Sequence, residues 1–217
     1  GVNVMVVMLS AETALAQQNR SIFPGWSVDF PKSMAGGAPA AIVVGDFNAD
    51  GLPDVAALVV NYDSGRIVVY TAFGRADGSL AEPQESLLST LPVGSGAAIA
   101  VGDLVPDPDG LMDIVVVGRT PAGMAILRNL GPDGDYRFAV NEFYAMPGVN
   151  GPVAVGDFDG NGLADIAHNG GGAVNVWFQH PSGWFDGPVE IATGNNIYGL
   201  AAADMNDDGR ADLMILG

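Results

Sequence analysis

No cysteine occurs among the 217 residues. A disulfide scaffold and thiol catalysis are excluded on that count, while the compartment stays open. Basic residues are scarce: eight Lys and Arg stand against 25 Asp and Glu, for a formal net charge of −17. Nucleic-acid binding calls for a basic footprint, and there is none. Histidine occurs only at His168 and His180, and no nucleophile motif accompanies either. Helical periodicity of useful length is missing beyond the first 16 residues. The apolar run at 2–9 is far shorter than the roughly 20 residues of a transmembrane helix, and no other segment qualifies. What is plentiful is apolar surface, 48% of residues, and glycine, 31 residues. The first argues against disorder; the second suits a chain with many turns.

The acidity is concentrated. Fourteen of the 25 acids lie in four short stretches with a single base, Arg210. Loop one is DFNADGLPD at 46–54, loop three DFDGNGLAD at 157–165 and loop four DMNDDGRAD at 204–212. Loop two, DLVPDPDGLMD at 103–113, is longer by two residues. Their glycines at 51, 110, 162 and 209 are spaced by 59, 52 and 47 residues, so the chain is built of repeats.

Each nine-residue loop sets oxygen side chains at positions 1, 3, 5 and 9 and a glycine at 6. That pattern suits a hard, oxygen-seeking cation such as Ca²⁺, with a main-chain carbonyl added at position 7. The glycine permits the tight turn. Crowded carboxylates repel, and a counter-ion relieves the repulsion. Four Ca²⁺ would bring −17 to about −9. A solitary loop of this kind reads equally well as a solvated acidic turn; four at regular spacing favour metal. An EF-hand is excluded, because position 12 is Ala57, His168 or Ile215 rather than Glu.

Apolar, β-branched segments flank the loops. Strands are expected entering loop one at 40–46 and leaving at 54–60, then at 66–73 and, as a polar outer edge, near 82–90. The cycle restarts at 97–103, 113–117, 124–129 and 136–146. A third cycle takes 152–157, 165–168, 173–178 and 184–192. A fourth begins at 199–204 and 212–216. Four short strands per repeat of about 50 residues is the anatomy of a propeller blade. The expected fold is all-β: a propeller of about three complete blades (39–91, 92–147, 148–194) and part of a fourth (195–217). An unclosed propeller leaves raw sheet edges, so the chain reads as a piece of a longer, possibly seven-bladed one; two chains sharing one ring is the alternative. Residues 1–16, ending Ala14-Leu15-Ala16 before a polar stretch, read as a truncated secretory signal, or else as a strand at 2–9. Residues 17–38 form a lead-in whose Phe23, Trp26 and Phe30 can pack on the first repeat.

The segments VGDFNADGLPDV (44–55) and VGDFDGNGLADI (155–166) resemble the FG-GAP or VCBS repeat of integrin α-chain propellers and bacterial surface and secreted proteins. The resemblance covers about residues 38–217. It implies a propeller whose Ca²⁺ loops join the first and second strand of a blade on one face. By that resemblance the metal ligands are Asp46, Asn48, Asp50 and Asp54; Asp157, Asp159, Asn161 and Asp165; and Asp204, Asn206, Asp208 and Asp212. The carbonyls of Leu52, Leu163 and Arg210 complete them. In loop two, Asp107, Asp109, Asp113 and the Leu111 carbonyl align from the glycine, which puts Val105 first; Asp103 takes that place only if the insertion bulges.

The expected function is a non-catalytic, extracellular or periplasmic protein, secreted or on the cell surface, stabilised by three to four Ca²⁺. It acts in adhesion or in binding a protein or glycan through loops away from the metals. Tyr62, Tyr144, Trp184 and Tyr198 are candidates there, with packing the commoner fate of such residues. The alternative is the propeller part of a secreted polysaccharide-degrading enzyme whose catalytic part lies outside this chain. An acid pair drawn from Asp133, Asp135, Glu142 or Asp186 would be the catalytic option within it.

Overall fold

The computed structural model describes residues 37–61, 66–88, 98–104, 109–119, 122–145, 151–193 and 196–217. The expected leader, nearly all of the lead-in, Tyr62 and Asp107 lie outside those residues.

Three antiparallel sheets of four strands follow one another, then a two-stranded one. The first contains β1 (Gly37–Gly45), β2 (Asp54–Asn61), β3 (Arg66–Ala72) and β4 (Gln84–Leu88). The second contains β5 (Ala98–Gly102), β6 (Asp113–Arg119), β7 (Ala122–Asn129) and β8 (Phe138–Ala145). The third contains β9 (Val153–Gly156), β10 (Asp165–Asn169), β11 (Ala173–Gln179) and β12 (Phe185–Ala192). The last is β13 (Gly199–Ala203) with β14 (Asp212–Leu216). Each sheet is a meander in sequence order, so every strand pairs with its chain neighbour.

The first strands of successive sheets pack side by side: β1 on β5, β5 on β9, β9 on β13. The sheets therefore radiate from a line of inner strands, which is the arrangement of propeller blades. Crowding at that line dictates small residues. A Cβ on Gly102 would stand 2.4 Å from Val155 Cγ1 of the next blade, and one on Gly156 would stand 2.7 Å from Ala211 Cβ.

Burial peaks at the second strands and is least at the outer ones. Every residue of β10 is buried, whereas β12 is exposed after Phe185. The second strand DVAALVV is buried on both faces, with alternate residues joining two different apolar clusters, so it reads as a continuous apolar run. An outer strand meets water and carries Asp186 and Glu190, which also discourage edge pairing.

The junctions between blades are the cores. Between blades one and two, Phe47, Leu58 and Ile67 meet Ile114, Val116 and Phe138. Between blades two and three, Leu104, Val115 and Met124 meet Val153, Ile166 and Phe185. Between three and four, Ala167, Val174 and Phe158 meet Leu200 and Leu213. The residue at loop position 2 is the wedge in all three: Phe47, Leu104 and Phe158. Its counterpart in loop four, Met205, is 67% exposed.

Candidate metal centre

Each loop is shaped by its own side chains before any cation is considered. In loop one, Asp46 accepts the N–H of Asp50 at Oδ1 (3.1 Å) and of Gly51 at Oδ2 (2.8 Å). Asn48 Oδ1 accepts from Asp50 N (3.1 Å) and Asp50 Oδ1 from Leu52 N (2.8 Å). Loop three repeats this: Asp157 binds Asn161 N and Gly162 N, Asp159 binds Asn161 N, and Asn161 binds Leu163 N. Loop four does the same from Asp204 to Gly209 N (2.8 Å), Asn206 to Asp208 N and Asp208 to Arg210 N. Asp and Asn at alternate positions thus curl the backbone around a common centre. The turn closes at Gly162 with φ 85°, a left-handed conformation natural to glycine.

The described residues of loop two follow the same plan. Asp103 Oδ2 accepts the N–H of Gly110 at 3.2 Å, the bond that Asp46, Asp157 and Asp204 make to their own glycines. Asp103, not Val105, holds the first position. Asp109 Oδ1 accepts Leu111 N (2.9 Å) as the fifth-position residue does elsewhere, and its Oδ2 lies 3.9 Å from the Arg128 guanidinium.

Position 9 does something the spacing did not reveal. Asp165 is fully buried, and its two oxygens accept Phe158 N and Gln179 N, both at 2.8 Å. Asp54 likewise joins Phe47 N (2.8 Å) to Gly74 N (2.7 Å), and Asp113 joins Leu104 N (2.9 Å) to Asn129 N (2.8 Å). The carboxylate is a staple from the wedge residue to the end of the third strand. Burial pushes these carboxyls up, Asp113 to about 7 and Asp165 to about 6, against the downward pull of the backbone donors. Neighbouring loop carboxylates push the same way: Asp103 and Asp109 on Asp113, Asp159 and Asp157 on Asp165.

The fit to a cation is clearest in loop three. Carboxylate oxygens of Asp157, Asp159 and Asp165 all lie within 4.8 Å of one another. Two Ca²⁺–O bonds of about 2.3–2.6 Å span roughly that distance, so one ion reaches all three. Each oxygen has lone pairs beyond the one its backbone donor uses. The donors are hard oxygens, with no nitrogen or sulfur among them. The cluster can hold a metal ion, and a cation would oppose the upward push on Asp165.

Sequence reasoning missed position 4. Ala49 and Asp207 adopt φ 56° and 60° there, and Gly160 φ 79°. Side chains other than glycine are thus accepted at this bend, which leaves the glycine at 160 to be explained separately.

Antiparallel alternation places the remaining candidates. The turn after β11 lies on the loop side, because Gln179 at its foot is bonded to Asp165. Trp184 is therefore on the metal face, 46% exposed and stacked on His180 at 4.6 Å, rather than on the opposite face expected for a ligand site. Tyr144 is packed against Trp177 and Phe185. Tyr198 is 71% exposed at the far end of β13 from loop four. His168 is buried; its Nε2 accepts the Trp177 indole N–H (3.1 Å), so Nδ1 carries the proton toward Asn169 O (3.1 Å). Burial pushes its pKa down, and with both nitrogens engaged it is a packed residue. Asp133 and Asp135 lie in an exposed turn and Asp186 on an exposed strand.

Radiating four-stranded blades with acidic loops between first and second strands define the class: a repeat propeller. The chain belongs to the FG-GAP-like repeat family, whose model matches residues 106–168 and 157–215. No curated protein matches the chain. Among the described residues, no helix is long and apolar enough to cross a membrane.

Proposed function

We propose that this is a calcium-binding, non-catalytic propeller repeat protein that works outside the cytoplasm, secreted or on the cell surface, in adhesion or ligand binding. The observation that carries the reading is the convergence of Asp157, Asp159 and Asp165 oxygens within 4.8 Å, in a loop that recurs along the chain. Three to four Ca²⁺ occupy the loops, held by the side chains at positions 1, 3, 5 and 9 and the carbonyl at position 7. In loop two the ligands are Asp103, Asp109, Asp113 and the Leu111 carbonyl, with Asp107 at the insertion.

The ions are structural. A cation neutralises carboxylates that folding has crowded together, and its binding free energy adds to folding free energy. At a hundredfold excess over Kd each site contributes about 2.7 kcal/mol. The partner is a protein or a glycan, met by loops on the face opposite the metals, where Tyr198 stands exposed. Against catalysis here, His168 is buried in a satisfied bond network and His180 is stacked on Trp184.

The test is a calorimetric Ca²⁺ titration, followed by thermal melts in Ca²⁺ and in chelator. Three or four bound ions and a clear rise in Tm are expected. Absence of binding with equal melts would overturn the reading and leave the loops as acidic turns.

A further inference from the structure

Arg210 is the one base within the acidic loops, and its two halves belong to different blades. Its main chain sits at the seventh position of loop four, with its N–H bonded to Asp208 Oδ1 at 2.9 Å. Its side chain crosses to loop three and lies along Gly160, between Asp159 and Asn161. A Cβ on Gly160 would stand 2.7 Å from Arg210 Nε and 3.2 Å from Cζ.

The crossing is built into the fold. The next residue, Ala211, donates its N–H to Asp157 O at 2.7 Å, which fastens the base of the arginine to the first residue of loop three. Position 4 tolerates a side chain elsewhere, as Ala49 and Asp207 demonstrate. What distinguishes Gly160 is the guanidinium stem running over it. The glycine makes room for the arginine.

We propose that Arg210 sets the cation affinity of loop three. This rests on the calcium reading above. In the metal-free protein the guanidinium stands over Gly160 without an ion pair to a described carboxylate, and so adds positive charge beside the Asp157–Asp159 cluster. When Ca²⁺ arrives, it meets a like charge at close quarters, so loop three binds more weakly than loop one, which has no base. The interaction of a unit charge with a divalent ion at this range, in a water-exposed setting at low ionic strength, corresponds to roughly a three- to tenfold change in Kd.

The experiment is a Ca²⁺ titration of the whole chain followed by amide NMR, with Gly51 reporting loop one and Gly162 loop three. In the unaltered protein the Gly162 midpoint is expected at higher Ca²⁺ than the Gly51 midpoint. Arg210→Gln, which keeps the carbonyl, should lower the Gly162 midpoint about three- to tenfold and leave Gly51 in place. Gly160→Ala, which displaces the stem without changing charge, should move Gly162 in the same direction. Both effects should fade in 1 M salt, where the screening length is about 3 Å. In chelator, Arg210→Gln should lower Tm, because the cluster loses the positive charge beside it. A Gly162 midpoint unmoved in both variants, with Gly51 and Gly162 each saturating normally, overturns this inference alone. Silence of both amides in the unaltered protein overturns the calcium reading and this inference together.

Discussion

Asp165 and Asp212 hold the same place in their repeats and meet different surroundings. Asp165 is buried and accepts two backbone N–H groups, one from the wedge residue Phe158 and one from Gln179 at the end of the third strand. Asp212 accepts Met205 N at 3.0 Å and is half-buried, at the foot of a strand paired only with β13. Yet the first halves of the two loops are nearly superposable in their bonding: position 1 to the glycine N–H at 2.8 Å in both, and glycine φ of 85° in both. The curl of the loop is written locally, in three polar side chains and a glycine. The staple at position 9 is a tertiary property and needs a third strand and an adjoining blade.

This contrast can be broken at several points. The largest effect is expected at the wedge. Phe47→Ala empties a fully buried ring that meets Phe138 edge-on at 5.5 Å, and should cost about 3–5 kcal/mol in urea unfolding. Met205→Ala, at the same repeat position but exposed, should stay within about 0.5 kcal/mol. Equal costs would show that loop four is as deeply packed as loop one.

Next comes the staple. Asp165→Ala strands two buried N–H groups and should cost about 2–4 kcal/mol in chelator, where no metal term enters. Asp212→Ala should cost under about 1 kcal/mol by the same measurement. The glycines sharpen the other half of the contrast. Gly162→Ala and Gly209→Ala each put a Cβ at φ 85° with nothing within 4 Å, so the cost is purely conformational. Both should lose about 1 kcal/mol, and by the same amount, because the turn is local.

The smallest effect is one of pH. His168 aligns with Ile215 of blade four, and its buried imidazole is held neutral by the Trp177 donor. Its folded pKa is depressed by burial, so below the ordinary value of 6.5 the unfolded chain binds the extra proton. Stability should fall as pH drops through 6.5. His168→Gln should flatten that part of the wild-type pH profile of Tm, and an unchanged slope would sink the assignment.

Much of this was legible in the sequence. The strands entering and leaving each loop fall where the apolar runs predicted, because a second strand covered on both faces tolerates little but Val, Ile, Leu and Ala. The loops were legible because their bonds run between residues two to five apart. Asp103 was not settled, since a two-residue insertion gives no sign of which side bulges. The second role of Asp54, Asp113 and Asp165 was hidden for a different reason. Their partners Gly74, Asn129 and Gln179 lie 14 to 20 residues downstream, and nothing in composition marks those N–H groups as donors. Trp184 is only a candidate for the opposite face by sequence, and counting antiparallel strands from the loop places it on the metal face.

The small residue that precedes each loop, Gly45, Gly102, Gly156 or Ala203, has a consequence for how such chains grow. Gly102 meets Val155, and Gly156 meets Ala202 and Ala211, so blades two and three present a similar shallow notch to their successors. The same kinds of residue recur at the described joins, small residues on the inner strands and an apolar wedge at loop position 2. Unequal crossing-over that duplicates a blade would deliver a copy already shaped for both its neighbours. Tandem duplication is therefore an easy route to length in this architecture, and a designer could extend the array by splicing in residues 148–194 again.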